Sequence, residues 1–202
     1  MIIKNLESRD YDKVIEYAIE GMNFRHYFDH ELALRLYGRY FLYLELNKVT
    51  DAYAAYGDNG EFLGTLLFDS KQGEKSYKKL WQVFYVTLFK FILKFFFGKS
   101  AGQYDQINKK MLASYLKKNH PDGEILLFAV DPQSKGNGVG TALLHYLEQE
   151  QAGKQIYLFT DSGCTYQFYD RRDFKRVEEE KILLEHANTK QELRCMLYSR
   201  TL

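Results

Sequence analysis

The sequence predicts a mixed α/β sheet carrying a helical insertion, on three observations. Strand-like apolar runs alternate with helical patterns along most of the chain. One run, residues 124–132, is apolar on both faces, as a strand in the middle of a sheet must be. Two further pairs of strand-like runs, within 51–68 and 176–199, are separated only by short polar segments, which adds antiparallel hairpins to the alternating order.

Residues 1–6 read as a short strand. Ser8 or Asp10 is placed to cap a helix running to about Phe24, with Val14, Tyr17, Ala18 and Met22 on its apolar face. Residues 30–47 predict a second helix, with Leu32, Leu36, Phe41 and Leu44 among its apolar positions. The hairpin within 51–68 turns at Gly57, Asp58, Asn59 and Gly60, residues suited to tight turns. Residues 70–119 are mainly helical in pattern, and the central strand comes next. A helix is expected over 138–151 with Leu143, Leu144 and Leu147 on one side, then a strand at 156–160 and a short helix within 164–174. Strands at 176–185 and 192–199, joined by the polar segment 186–191, close the chain. The whole reads as one domain, residues 1–202, with its insertion at about 70–119.

Composition narrows the function classes. Apolar and charged fractions of 46% and 27% are those of a globular protein able to bury a core without staples. A net charge of +1 gives no basic excess, so no nucleic-acid partner is expected. Cys164 and Cys195 are the only cysteines and lack metal-type spacing, so neither a disulfide framework nor a zinc site is expected. The start, MIIKNLESRDYDKV, lacks the apolar stretch of a signal peptide, and a cytoplasmic protein is expected.

The most informative stretch is FAVDPQSKGNGVGTALL, residues 128–144. Pro132 cannot continue a ladder and marks the strand's exit. Gly136, Gly138 and Gly140 then alternate ahead of an apolar helical pattern. Glycines let an anion approach the backbone closely, and the first turn of a helix offers unsatisfied N–H donors and a partial positive charge. Strand, glycine loop and helix start together form a phosphate cradle. The nucleotide P-loop pattern is absent, and a dinucleotide fingerprint fails because position 141 is Thr.

Residues 124–144 resemble motif A of the GNAT N-acetyltransferase superfamily: an apolar strand, a proline, then [Q/R]-x-x-G-x-[G/A] opening a helix. KGNGVG at 135–140 fits that register, with Lys135 where Gln or Arg is usual, and FYDRRDF at 168–174 matches the F-Y-x-x-x-G-F-like segment downstream. The resemblance implies a GNAT-like fold and acetyl transfer from acetyl-CoA to a primary amine by direct attack. It implies that main-chain groups of Phe128, Ala129 and Val130 bind the pantetheine arm, with Val130 N–H as oxyanion donor. It implies that backbone N–H groups of Lys135, Gly136, Asn137, Gly138, Val139, Gly140 and Thr141 hold the pyrophosphate. Tyr169 then stands where the family keeps the tyrosine that protonates the departing thiolate, with Tyr166 one turn earlier as its alternative. Asp173 replaces the glycine usual before the last Phe, in a place that calls for a left-handed backbone. The general base is unassigned: Glu124 and Asp131 flank the central strand, and each reads first as a solvated surface acid. The rival reading is a non-catalytic module that binds or senses acyl-CoA.

Three other features enter. Residues 80–97 would make an aromatic helix about 27 Å long, apolar on most sides, whose partner is the domain core, a second subunit or a membrane surface. Lys90 and Lys94 within it argue against a membrane span, so no membrane partner is expected, and a homodimer is allowed. His26 and His30 have a metal-like spacing without a third ligand, so no metal is expected. Cys164 reads as a small buried cysteine rather than an acyl carrier.

Overall fold

The structure, a computed structural model, describes the chain apart from residues 27, 29, 98–101 and 187–188, and apart from the side chains of 26, 96, 97, 184–186 and 189–191. The His26 side chain and the middle of the polar segment at 186–191 thus lie outside the described residues.

Seven strands form one sheet. In chain order the elements are β1 (Ile2–Asn5), α1 (Tyr11–Gly21), α2 (Glu31–Leu46), β2 (Asp51–Tyr56), β3 (Phe62–Ser70), α3 (Leu80–Phe97), α4 (Gln103–Tyr115), β4 (Gly123–Val130), α5 (Val139–Glu150), β5 (Gln155–Asp161), α6 (Gln167–Asp170), β6 (Lys175–His186) and β7 (Thr189–Thr201). The spatial order is β1-β2-β3-β4-β5-β7-β6, with every neighbouring pair antiparallel except β4–β5. The doubly apolar strand β4 is therefore the middle one, and helices cover it on both faces.

Burial tracks the alternation of each strand. Tyr53, Leu66, Phe68, Ile125, Ile156 and Leu158 face α5, meeting Val139, Leu143, Leu144 and Leu147. On the opposite face, Ala52, Ala54, Leu67 and Ala129 pack beneath α1 and α2, while Tyr157, Cys195 and Leu197 meet Met111 and Tyr115 of α4. The Tyr115 hydroxyl shares a 2.6 Å hydrogen bond with Ser199, tying α4 to β7.

Two local expectations are corrected. Neither Ser8 nor Asp10 makes a side-chain cap on α1; residues Ser8–Asp10 form a 3-10 turn, and the Asp10 carboxylate instead accepts the Tyr56 hydroxyl. In α2 the buried large apolar positions are Leu34, Tyr40, Leu42, Tyr43 and Leu46, whereas Leu32 and Leu36 are exposed. Helix α2 packs on α1 and α3 as well as on the core, so its buried stripe is turned away from those two leucines.

Candidate active site

The centre of the molecule is a gap between two parallel strands. β4 and β5 pair only at Gly123–Ile156, Glu124–Tyr157 and Ile125–Leu158, although both run on beyond. A bulge accompanies the parting. Across β3–β4 the register passes from Leu67–Leu127 to Phe68–Ile125, leaving Leu126 as an extra residue, and Leu126 and Leu127 both enter the same core. A bulge sharpens the local twist and re-aims the strand beyond it, which carries the second half of β4 away from β5.

The ladder phase shows which groups that half presents. Asp131 N–H donates to the Leu63 carbonyl at 2.8 Å, just beyond the Gly64–Val130 pair. Residues of an antiparallel ladder alternate in the edge they serve, so Leu127, Ala129 and Asp131 turn their main-chain groups to β3. Phe128 and Val130 turn theirs to the open edge. The main chain of Ala129 is thus committed to β3, and of the three residues singled out in the sequence only Phe128 and Val130 have groups free in the gap.

The gap leads to the glycine loop. Pro132–Ser134 form a 3-10 turn in which the Asp131 carboxylate accepts from Gln133 N–H at 2.9 Å. Gly136 and Gly138 have φ of 90° and 79°, a left-handed backbone that glycine adopts without the Cβ penalty. Helix α5 starts at Val139 with Gly138 as its cap, the phase that buries Val139, Leu143, Leu144 and Leu147 together. Lys135 and Asn137 spend their N–H groups on Pro132 and Ser134 carbonyls. The N–H groups of Gly136, Gly138, Val139, Gly140 and Thr141 have no acceptor among the described residues. Lys135 through Gly138 and Thr141 are exposed.

On the α5 face, α6 sets Tyr169 in an aromatic nest. Its ring centroid lies 5.4 Å from Phe168, 5.5 Å from Phe174 and 5.9 Å from Tyr198. The Tyr169 hydroxyl finds no hydrogen-bond partner among the described residues, and loss of hydration, with a smaller push from Cys164, raises its pKa well above that of an ordinary phenol. Burial and Asp161 push the Cys164 thiol up to about 12, leaving almost no thiolate at neutral pH. Phe168 meets Phe128 edge-on at 5.3 Å and would crowd a Cβ at Gly140 at 3.1 Å, so α6, β4 and the start of α5 lock together.

On the opposite face lies Glu124. Its carboxylate accepts the Tyr157 hydroxyl at 2.9 Å across the last β4–β5 pairs. Burial raises its pKa to about 7; Lys48 and the Tyr157 hydroxyl pull it down, while Glu45 and Asp69 push it up. Asp131, the other carboxylate flanking the strand, is occupied in capping its own turn.

Residues 95–174 match the family model described as the Acetyltransferase (GNAT) family. Over that stretch the chain is similar to the GNAT acetyltransferases. The match runs from the end of α3 through the loop, α5 and β5 to Phe174, and so takes in Glu124, Phe128, Val130, the glycine loop, Cys164 and Tyr169. Solved structures carry the likeness of fold across the chain. Arylalkylamine N-acetyltransferase 2 from Aedes aegypti has 15% identity and a TM-score of 0.58, covering 97% of each chain. A histone acetyltransferase and related acetyltransferase from Corynebacterium glutamicum has 17% identity and a TM-score of 0.56, covering 96% of this chain and 93% of its own. An aminoglycoside 6'-N-acetyltransferase complexed with coenzyme A has 17% identity and a TM-score of 0.51, covering 100% and 97%. No curated protein matches the sequence.

The matched stretch also holds a group that sequence reasoning missed. Arg172 stacks its guanidinium on Phe168 at 3.7 Å and donates to the Phe168 carbonyl at 3.1 Å and to Thr141 Oγ1 at 2.5 Å. That sets a fixed cation beside the first turn of α5. Its signal was present as the second Arg of FYDRRDF, but only the fold brings residue 172 against residue 141. Among the described residues, no group of three His, Cys, Asp or Glu side chains could hold a metal.

Proposed function

We propose that this protein transfers an acetyl group from acetyl-CoA to a primary amine by direct attack within a single domain, residues 1–202. The observation that carries the reading is the parting of β4 from β5, which frees the Phe128 and Val130 main chain in line with the open N-terminus of α5. A pyrophosphate suits the free N–H groups of Gly136, Gly138, Val139, Gly140 and Thr141, with Lys135 and Arg172 as flanking cations. The pantetheine arm then runs along β4, replacing the missing β5 partner. Val130 N–H, nearer the loop, holds a pantetheine carbonyl, and Phe128 N–H, farther along the arm and nearer Glu124, holds the thioester oxygen as it gains charge, which moves the oxyanion role expected of Val130 to Phe128. Removing such a donor typically costs about 3 kcal/mol of barrier height.

Base and acid stand on opposite faces of the gap, so the two substrates approach from opposite sides. Glu124 takes a proton from the amine, directly or through water, and its pKa of about 7 keeps it both basic and available. Tyr169 stays protonated at neutral pH and gives its proton to the departing thiolate. The Cys164 thiol, held at about 12, is a poor nucleophile, which favours direct transfer over an acyl-cysteine step. A base in Glu124 also supplies the group that a mere acyl-CoA sensor would lack.

The test couples binding to chemistry. Acetyl-CoA at about 100 times its dissociation constant should stabilise the protein by about 2.7 kcal/mol, a rise of several degrees in Tm, and a Lys135/Gly138 double substitution should abolish the shift. In an amine screen read by release of the free thiol, Tyr169→Phe should retain the thermal shift and lose about 10²-fold in turnover. No shift at saturating acetyl-CoA would overturn the reading. A shift without thiol release from any amine would leave the sensor in its place.

A further inference from the structure

Helix α3 leaves a wide apolar face uncovered. Its inner side packs on α2: Gln82 and Val86 are buried, Tyr43 meets Trp81 and Tyr85 edge-on at 4.7 and 5.4 Å, and Tyr40 stacks on Phe89 at 5.0 Å. The outer side presents Leu80, Trp81, Phe84, Leu88, Phe91 and Ile92, exposed by 40% to 89%. At the α-helical period these six occupy about a third of the circumference with no polar residue among them. The domain core, one of the three partners the sequence allows this helix, covers only its inner side. The Tyr85 hydroxyl donates to the Leu36 carbonyl at 3.2 Å, so exposed Leu36 of α2 borders the same face. A contiguous apolar face of this extent marks an interaction surface.

Charge decides what covers it. Residues 75–104 hold six lysines and no acidic residue, against a whole-chain balance of +1. Lys90 and Lys94 run along one border of the apolar face with Thr87 and make no ion pair among the described residues. With Phe91 they line a shallow groove of about 220 Å³. Lys78 and Lys79 flank the start of the helix, also without ion pairs among the described residues. A second copy docked antiparallel about a two-fold axis would set the like-charged borders side by side. An anionic surface would neutralise them. Among the described residues no helix is long and apolar enough to cross a membrane, and this helix has the make-up of one lying in the interface plane, apolar side down and lysines at the level of phosphate groups.

We propose that α3 docks the protein on an anionic lipid bilayer surface, through Leu80, Trp81, Phe84, Leu88, Phe91 and Ile92 inserted and Lys90 and Lys94 on lipid phosphates. This revises the expectation of no membrane partner, and it stands independently of acetyl transfer. The full chain would be co-sedimented with vesicles of phosphatidylcholine alone and of phosphatidylcholine mixed with phosphatidylserine. Trp81, the chain's only tryptophan, supplies a second readout in its emission. Binding to the mixed vesicles should be about tenfold tighter or more, weaken with salt and shift Trp81 emission to the blue. The double variant Phe84→Ser/Phe91→Ser, at exposed positions and checked for folding by circular dichroism, should lose about tenfold in binding to either vesicle. Lys90→Gln/Lys94→Gln should lose the preference for the anionic lipid alone. Absence of binding to the mixed vesicles overturns the proposal, as does binding unchanged in the phenylalanine pair. So does a stable dimer of the free protein that the phenylalanine pair dissociates.

Discussion

Glu124 faces two opposing demands, because burial that makes a carboxylate a neutral-pH base also makes its charge costly to the fold. Its pKa rises from 4.5 to about 7 on folding, so the folded chain binds more protons than the unfolded one between those values. The stability it confers is therefore present below about pH 4.5 and is lost as pH rises through about 7. Glu124→Gln removes that loss and should make the protein more stable at pH 8 by up to about 3 kcal/mol, read by chemical denaturation at pH 5 and pH 8. The same variant should flatten a turnover profile that otherwise climbs through about pH 7. A profile unaltered in the variant would remove Glu124 from the chemistry. The carboxylate was visible in the sequence as one of two candidates; the feature separating it from Asp131 is which neighbours each side chain meets, and no pattern in one sequence records that.

At the scale of elements, local rules reached furthest where one residue type has one physical reason to be present. Asp173 was expected in a left-handed backbone because it stands where a glycine is usual, and its φ is 58°. That conformation costs a non-glycine residue about 1 kcal/mol, so Asp173→Gly should raise Tm by about 2–4 °C without altering turnover, as calorimetry and the thiol-release assay would register. A fall in Tm would mean the Asp173 carboxylate does more than tolerate its backbone. The glycine loop was legible for the same reason: alternate glycines before a leucine-phased helix leave few geometries open. The bulge at Leu126 was not legible, since EILLFAV reads as an unbroken apolar strand and the extra residue is defined only against β3.

For the molecule as a whole, the segment between β3 and β4 is both insertion and structural part. Its first helix is half uncovered, but its second buries Met111 and Tyr115 against Tyr157, Cys195 and Leu197 and hydrogen-bonds Ser199. Deleting residues 74–118 would uncover that face of β5 and β7. Truncating one large buried side chain already costs about 2–5 kcal/mol, so the shortened chain should show no cooperative thermal transition. A folded deletion mutant would instead mark the whole segment as an addition to a self-sufficient sheet.

The sequence by itself determined the order of elements, the central place of the strand at 124–130, the glycine loop with its helix phase, and the aromatic character of residues 80–97. Each depends on periodicity, turn chemistry or backbone freedom, which act over a few residues and are written where they act. Only the tertiary structure decided that β4 and β5 part after Ile125, that Phe128 and Val130 rather than Ala129 face the gap, and that Arg172 reaches Thr141. It alone decided that α3 turns an apolar face outward. Those are matters of register, of which edge a peptide group faces and of which surfaces find cover, and they are fixed by contacts between residues far apart in the chain.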